Sequence, residues 1–369
     1  MIAWRLDQRD LLQIGLLVLV VMVGGCRSSA PIESSTVAKV MRYSESAAES
    51  FAEGDTEVAI QTFRKAIHRS WAADDPYHAG TNAYNLAAVL FDRGKHADAL
   101  DWLVDARVDL ARAGKSAGNT FLLEAKIAQT EERFQDASRM IGLANCSPPP
   151  CTDSANKSCP CTACQESKLS CVPCLGKKIA DEKASQQCRD DYQAQVHLAR
   201  SRLATDQYDL ALASKHLVQA SALATKVCSD ELRGEIHHAA AMIDLAEGQF
   251  LQAAAHFDRE VTHLRLAGNY RKLPEVLKIC AAAYQQVDRF DLASDRLCRA
   301  ARCLFARGEA KESWDVLQQA LTFVDPDPSK PNHIRLVLTA REIESVLAET
   351  APADEKTALA RLLGTGMLE

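Results

Sequence analysis

A spacing near forty residues recurs along this chain and constrains its fold more than any other feature. A small residue is followed four positions later by a large one at Ala59 and Phe63, and again at Ala253 and Phe257. Steps of 40, 38, 76, 40 and 40 residues connect the small residues Ala59, Ala99, Ala137, Ala213, Ala253 and Ala293. A fixed period of this length is typical of stacked helical units, and one further step reaches a degenerate seventh unit at His333.

Each unit is predicted to be a hairpin of two helices. A second small residue lies twelve positions before each of the first series, as Ala47 lies before Ala59. Small residues let neighbouring helices approach closely, and the large residue fills the space between them. Each hairpin would leave an apolar face that only the next hairpin covers, so stability is expected to come from stacking. The turn inside the hairpin carries a glycine in three units, at Gly54, Gly94 and Gly248.

Two of these units resemble tetratricopeptide repeats. The resemblance rests on Leu86-Ala87 with Gly94, Ala99, Leu103 and Ala106, and on Ala240-Ala241 with Gly248, Ala253 and Phe257. The period is longer than that family's usual one and closer to its long-helix variants. Glu260 departs from the pattern, because a small residue is expected at its position.

The resemblance implies an all-α fold, a right-handed α-solenoid of about six to seven helical hairpins with a cysteine-rich inserted loop. Repeats 1–3 would occupy residues 37–145, repeats 4–7 residues 189–348, and a C-terminal cap residues 349–369. It also implies a concave groove, lined by the first helix of each hairpin, that binds peptides or protein segments.

The N-terminus resembles that of bacterial lipoproteins. Residues 11–23 form an apolar run with the length of a signal-peptide core, and Val23-Gly24-Gly25-Cys26 resembles a lipobox. The resemblance implies a signal peptide at 1–25, lipidation of Cys26 and a polar tether at 26–36. The expected location is the periplasm-facing cell envelope, and Arg27 after the cysteine favours the outer membrane over the inner.

The step of 76 contains an insertion at residues 146–188 that has almost no apolar periodicity and cannot form a core of its own. It holds eight cysteines: Cys146, Cys151, Cys159, Cys161, Cys164, Cys171, Cys174 and Cys188. An exported compartment favours disulfides between them. A zinc site remains an alternative at Cys161, Cys164, Cys171 and Cys174, because two Cys-x2-Cys pairs have the general form of a four-thiolate site. Free or redox-active thiols are a third possibility.

Other function classes have little support in the sequence. The net charge is -6 and no segment is concentrated in basic residues, which argues against a nucleic-acid partner. Gly114-Lys115-Ser116 ends like a phosphate loop but lacks its first glycine and lies in a helical region, so a helix-ending glycine explains it better. The pairs His237-His238 and His256 with His263 lack accompanying metal ligands. We therefore expect no enzyme activity.

The predicted function is a membrane-anchored tetratricopeptide-repeat lipoprotein that acts as a protein-binding adaptor or scaffold. The repeat pattern places Tyr84, Asn119, Lys126, Arg202, His238 and Lys278 in the groove. Lys126, Arg202 and Lys278 could meet an acidic ligand or a C-terminal carboxylate. The alternatives are a metal-binding or thiol-redox protein that uses the cysteine-rich insertion, and a structural envelope protein without a ligand.

Overall fold

The computed structural model describes residues 35–146, 182–227, 229–324, 327 and 329–350. The chain divides into two compact units, Met1–Lys39 and Val40–Glu369. The predicted signal peptide, Cys26, most of the tether, the C-terminal cap beyond residue 350 and the six cysteines from Cys151 to Cys174 lie outside the described residues. The side chain of Cys188 lies outside them as well.

The described part of the chain is entirely helical, which confirms the all-α prediction, and it contains no strand. Its helices are α1 Ser35–Glu53, α2 Thr56–Ala72, α3 Pro76–Asp92, α4 His96–Arg112, α5 Gly118–Thr130, α6 Phe134–Cys146, α7 Glu182–Asp206, α8 Leu210–Ala224, α9 Asp230–Ala246, α10 Phe250–Leu266, α11 Leu273–Gln285, α12 Phe290–Ala306, α13 Ala310–Phe323 and α14 Pro331–Thr350. From α3 to α14 consecutive pairs of helices pack against each other, so that α13 and α14 form hairpin 7. Ala47 of α1 lies in one apolar cluster with Ala59 of α2, and these two helices form hairpin 1. No helix in these ranges is long and apolar enough to cross a bilayer.

The repeated small residues lie at the contacts between helices. The small residues on the second helix of each hairpin are all 0% exposed: Ala59, Ala99, Ala137, Ala213, Ala253 and Ala293. The first-helix partners are at most 1% exposed, at Ala47, Ala87, Ala125, Ser201, Ala241 and Ala281. Ser201 replaces alanine without leaving a buried polar group unpaired, since its hydroxyl donates to the Ala213 carbonyl at 2.9 Å. The period of forty therefore marks the packed positions, as predicted.

The turns inside the hairpins share one backbone geometry. Gly54, Gly94 and Gly248 have φ of +104°, +69° and +74°, the left-handed conformation that ends many helices. Three units use a side-chain-bearing residue at the same position, with φ of 56° to 59°, at Glu132, Tyr208 and Asp288. Left-handed geometry costs such residues about 1–2 kcal/mol, so the stacked hairpins hold these turns against a local preference.

Hairpins 3 and 4 pack together although the insertion separates them in sequence. Tyr192 on α7 donates its hydroxyl to the Ala144 carbonyl on α6 at 2.7 Å. Val196 on α7 lies in one apolar cluster with Ile141 and other residues of hairpin 3. Both ends of the predicted insertion are helical, because Cys146 is a buried residue of α6 and α7 already begins at Glu182. The stack thus continues past the cysteine-rich segment.

The three cysteines of hairpin 6 belong to its core or its edge. Cys280 and Cys298 are buried and Cys303 is partly buried, so they pack as small hydrophobic residues. Burial, with a smaller effect of Asp258, raises the pKa of the Cys280 thiol to about 12. Burial also raises the pKa of Cys298 and of Cys303. Since the thiolate is the reactive form, these cysteines are poor nucleophiles and poor metal ligands.

Candidate functional site

Two connected cavities lie along the first helices of the hairpins, and together they are called the groove below. The larger has a volume of about 900 Å³ and the smaller about 520 Å³. They meet at a junction, which is formed by the residues that line both: Phe91, Lys126, Gln129, Arg202, Glu235 and Lys272. Four of the six junction residues are charged, so this part of the groove is suited to a ligand with charged groups.

The structure brings most of the predicted groove residues to these cavities. Tyr84 and Asn119 line the smaller one, Lys126 and Arg202 line both, and His238 lines the larger one. Lys278 lines neither cavity. Its amine instead contacts the carboxylates of Glu275 at 2.9 Å and Glu312 at 3.5 Å.

Four residues at the junction were not predicted from the sequence, and two of them, Glu235 and Lys272, are charged. Glu235 lies one repeat after Gln195 and two after Asn119 in the same register, so the repeat pattern carried a usable signal for it. Lys272 precedes the first residue of α11 and therefore lies outside any helical register. Its position depends on the loop between hairpins 5 and 6, which the period of forty does not describe.

The junction gathers three cations around one carboxylate. Glu235 forms an ion pair with Arg202 and accepts a hydrogen bond from the Lys272 amine at 2.7 Å. Burial raises the pKa of Glu235, but Arg202, Lys126 and Lys272 together lower it well below its ordinary value. Glu235 is therefore ionised at neutral pH, and the three cations exceed it by two charges when all are protonated.

Lys126 is the cation at the junction that no carboxylate contacts. The described part of the chain offers its amine no hydrogen bond or ion pair, and the side chain is partly buried. Glu235 raises its pKa, whereas burial, Arg202 and Lys272 lower it, and the net value is about 8. An anion placed beside this amine would offset the cost of burying its charge and the repulsion by Arg202 and Lys272.

Glu260 supports the wall of the larger cavity. It is only 4% exposed although the repeat pattern calls for a small residue there. Its carboxylate lies 2.9 Å from Nδ1 of His238 on the neighbouring helix, so the buried charge has a partner. The departure from the repeat pattern is thus explained by the histidine that faces it.

A contact between distant hairpins closes one side of the smaller cavity. Arg271, in the loop before α11, forms an ion pair with Asp92 at the end of α3. The same guanidinium lies over the ring of Phe51 at the end of α1, 4.3 Å from its centroid. The Arg271 carbonyl accepts a hydrogen bond from Arg307 at 3.2 Å, and Arg307 in turn lies against Gly54. Hairpins 1 and 2 therefore contact the loops that flank hairpin 6.

Two histidine pairs occupy equivalent positions one repeat apart. Nδ1 of His237 lies 3.0 Å from Nδ1 of His256, and Nδ1 of His197 lies 3.2 Å from Nδ1 of His216. At these distances the two rings of a pair can share one proton but repel each other when both are charged. Within the described residues no group of three or more metal-ligating side chains is placed to hold a metal ion. Burial and the partner histidine lower the pKa of His197 and of His237, so both pairs disfavour protonation.

We expect the lowered pKa of His237 to make the stability of the chain depend on pH. Burial, together with His256 and His263, lowers the pKa of His237 from 6.5 to about 4. The unfolded chain takes up this proton near pH 6.5, so stability that is full above that pH is lost as the pH falls towards 4. Partial exposure reduces the effect of this residue to about 1 kcal/mol at pH 5. Urea unfolding at pH 7 and pH 5 should show a smaller loss for His237→Gln than for the wild type, and equal losses would contradict the assignment.

Comparisons with known proteins add little beyond the fold. No known protein family and no curated protein matches this chain. A signal-transduction ATPase with a tetratricopeptide repeat sensor from Pyrococcus horikoshii is similar at 12% identity and a TM-score of 0.49, over 90% of this chain and 45% of that chain. A tetratricopeptide repeat protein from Parabacteroides merdae is similar at 12% identity and a TM-score of 0.32, over 81% of this chain and 98% of that chain. Yeast Tom70 is similar at 9% identity and a TM-score of 0.40, over 92% of this chain and 69% of that chain.

Likenesses at these identities and TM-scores carry no activity or partner over to this chain. The chain also spans less than half of the Pyrococcus horikoshii protein. The function must therefore be inferred from the groove itself.

Proposed function

We propose that this chain is a protein-binding adaptor or scaffold of the bacterial cell envelope, and that its groove holds an acidic segment or C-terminal carboxylate of a partner protein. The observation that supports this most directly is the junction, where Lys126, Arg202 and Lys272 face a single carboxylate, Glu235. Lysine and arginine at such a site form charge-assisted hydrogen bonds with carboxylates. A groove along stacked first helices suits an extended segment, and no catalytic role is proposed.

We expect Lys126→Gln to weaken binding of an acidic peptide about tenfold, because one charge-assisted hydrogen bond is lost. The probe is a fluorescein-labelled peptide that ends in glutamate and aspartate with a free C-terminus, and binding is followed by fluorescence anisotropy. Wild-type affinity should also fall between pH 7 and pH 9, since Lys126 loses its proton near pH 8. The variant should lack this pH dependence.

Lys278→Gln is the matched control for this experiment. It removes one lysine charge on a first helix that lines the groove, but Lys278 itself lies outside both cavities. The control should bind the acidic peptide as the wild type does. An amidated peptide without acidic residues should bind weakly to all three proteins. Equal affinity of wild type and Lys126→Gln for the acidic peptide would overturn the proposed site.

The proposed membrane attachment rests on the resemblance of Val23-Gly24-Gly25-Cys26 to a lipobox. A lipid on Cys26 would leave the helical hairpins facing the periplasm, with the outer membrane favoured by Arg27. The right-handed sense of the solenoid and disulfides in the cysteine-rich insertion belong to the same proposal.

Intact mass spectrometry of the membrane-extracted chain tests the attachment. We expect a chain that begins at Cys26 and carries the added mass of a lipid. Alkylation before and after reduction counts the cysteines held in disulfides, and few should react before reduction. A chain that still begins at Met1 would contradict lipidation. Thiols that react only after loss of a bound metal would favour the zinc alternative.

A further inference from the structure

The charges of the groove follow an order along α7. Asp191, Gln195, Leu198, Arg202 and Asp206 recur at three- and four-residue intervals, so they form one stripe on the helix. Asp191 lines only the smaller cavity, Asp206 only the larger one, and Arg202 lines both. The stripe therefore places one carboxylate in each cavity and a cation at the junction between them.

Neither of these carboxylates has a cation of its own in the described part of the chain. Asp191 accepts a hydrogen bond from the side-chain amide of Gln195 at 3.0 Å, and Asp206 accepts one from Gln129 at 3.1 Å. Burial raises the pKa of both carboxyl groups despite these hydrogen bonds. Two neutral donors thus solvate two charges that an ammonium or guanidinium group would neutralise better.

The junction has the opposite imbalance. Arg202 and Lys272 share the single carboxylate of Glu235, and the amine of Lys126 contacts none. Two further carboxylates extend the negative ends, Glu231 in the smaller cavity and Glu132 in the larger one. No ion pair in the described residues involves either of them. The groove is therefore negative, positive and negative in turn.

We propose that the segment bound in the groove carries a basic side chain on each side of its carboxylate, so that the carboxylate lies at the junction beside Lys126 and Arg202 and the two bases meet Asp191 and Asp206. This inference rests on the proposed function and specifies its ligand. It distinguishes the occupant from a uniformly acidic tail, which would still reach Lys126 but would bind more weakly, because its flanking charges would lie against the carboxylates of the groove.

The helix sets the spacing of the groups in the ligand. Four residues separate Arg202 from Asp206, a rise of about 6 Å, and eleven separate Asp191 from Arg202, about 16 Å. An extended peptide advances about 3.3 Å per residue. One base should therefore lie about two residues from the carboxylate, and the other four to six residues away on the opposite side.

Isomeric peptides test this order without changing composition. The probes are labelled, capped peptides with the cores Lys-Ala-Ala-Ala-Glu-Ala-Lys and its reverse, which covers both chain directions. The control isomer, Glu-Ala-Ala-Ala-Lys-Ala-Lys, has the carboxylate at one end. We expect one of the first two peptides to bind about tenfold more tightly than the control isomer. Asp191→Asn and Asp206→Asn should each reduce this preference several-fold, whereas Asp105→Asn, an exposed carboxylate outside the groove, should not.

The outcomes separate this inference from the proposed function. If acidic peptides bind in a Lys126-dependent way but the isomers bind equally, the adaptor function stands and the order of charges in the ligand is wrong. If Asp191→Asn and Asp206→Asn leave a clear preference unchanged, the two bases lie elsewhere and the inference is overturned. If neither acidic nor mixed-charge peptides bind, both proposals fail.

Discussion

Phe257→Ala is expected to lower the free energy of unfolding by about 3–5 kcal/mol, the range found when a buried phenylalanine is truncated. Phe257 is 0% exposed and lies in one apolar cluster with Ala253 of its own helix and Ala281 of the next hairpin. The ring also contacts the edge of His238, with centroids 5.8 Å apart. Its neighbours belong to stacked helices that cannot collapse into the space, so a cavity should remain.

Leu251→Ala is the matched control, because Leu251 lies on the same helix and is 50% exposed. Urea unfolding should show a change below about 0.5 kcal/mol for this variant. Stacked hairpins can unfold in parts, so hydrogen exchange should accompany the unfolding curves, with protection lost first in α9 to α12. Comparable losses in the two variants would show that the repeated large residue does not anchor the stack.

Sequence reasoning succeeded where the determinant is local to one hairpin. The pair Ala253 and Phe257 lies one helical turn apart, and its period of forty reports directly which face of each helix is packed. Glu132 and Tyr208 lie at the register position of Gly94, and the structure gives them a similar positive φ. The spacing of the repeats therefore predicts the turn position even where another residue replaces the glycine.

The groove could be predicted only in part, because its charges depend on contacts between hairpins. Arg271 and Asp92 are far apart in sequence, and only the path of the stacked hairpins brings them together. Lys272 lies in a loop to which the helical register does not apply. Lys278 occupies a groove register, but the nearby carboxylates Glu275 and Glu312 hold its amine outside the cavities. Register gives the side of a helix, whereas neighbouring charges decide where a long side chain ends.

A cluster of polar contacts between hairpins 5 and 6 is centred on Asp258. Its carboxylate accepts two hydrogen bonds from Arg296, at 2.7 and 2.8 Å, and a third from the Tyr284 hydroxyl at 2.8 Å. The thiol of Cys280 lies 3.6 Å from the same carboxylate. Burial raises the pKa of Asp258, but the hydrogen bonds from Arg296 and Tyr284 outweigh it and lower the pKa. The contribution of this carboxylate to stability is therefore present above about pH 4 and lost as the pH falls through the lowered pKa.

Asp258→Ala is expected to destabilise the chain by about 2–3 kcal/mol at pH 7, because the largely buried guanidinium of Arg296 loses two hydrogen bonds and keeps only Asp295 as a carboxylate partner. The double variant Asp258→Ala/Arg296→Met should be less destabilised than the single variant, since it removes the charge that the alanine leaves behind. Asp315→Ala, at an exposed carboxylate on α13, should change stability by less than about 0.5 kcal/mol. If the double variant were as unstable as the sum of both single variants, the two side chains would act independently. The contact between Asp258 and Arg296 would then contribute no coupling energy to the interface between hairpins 5 and 6.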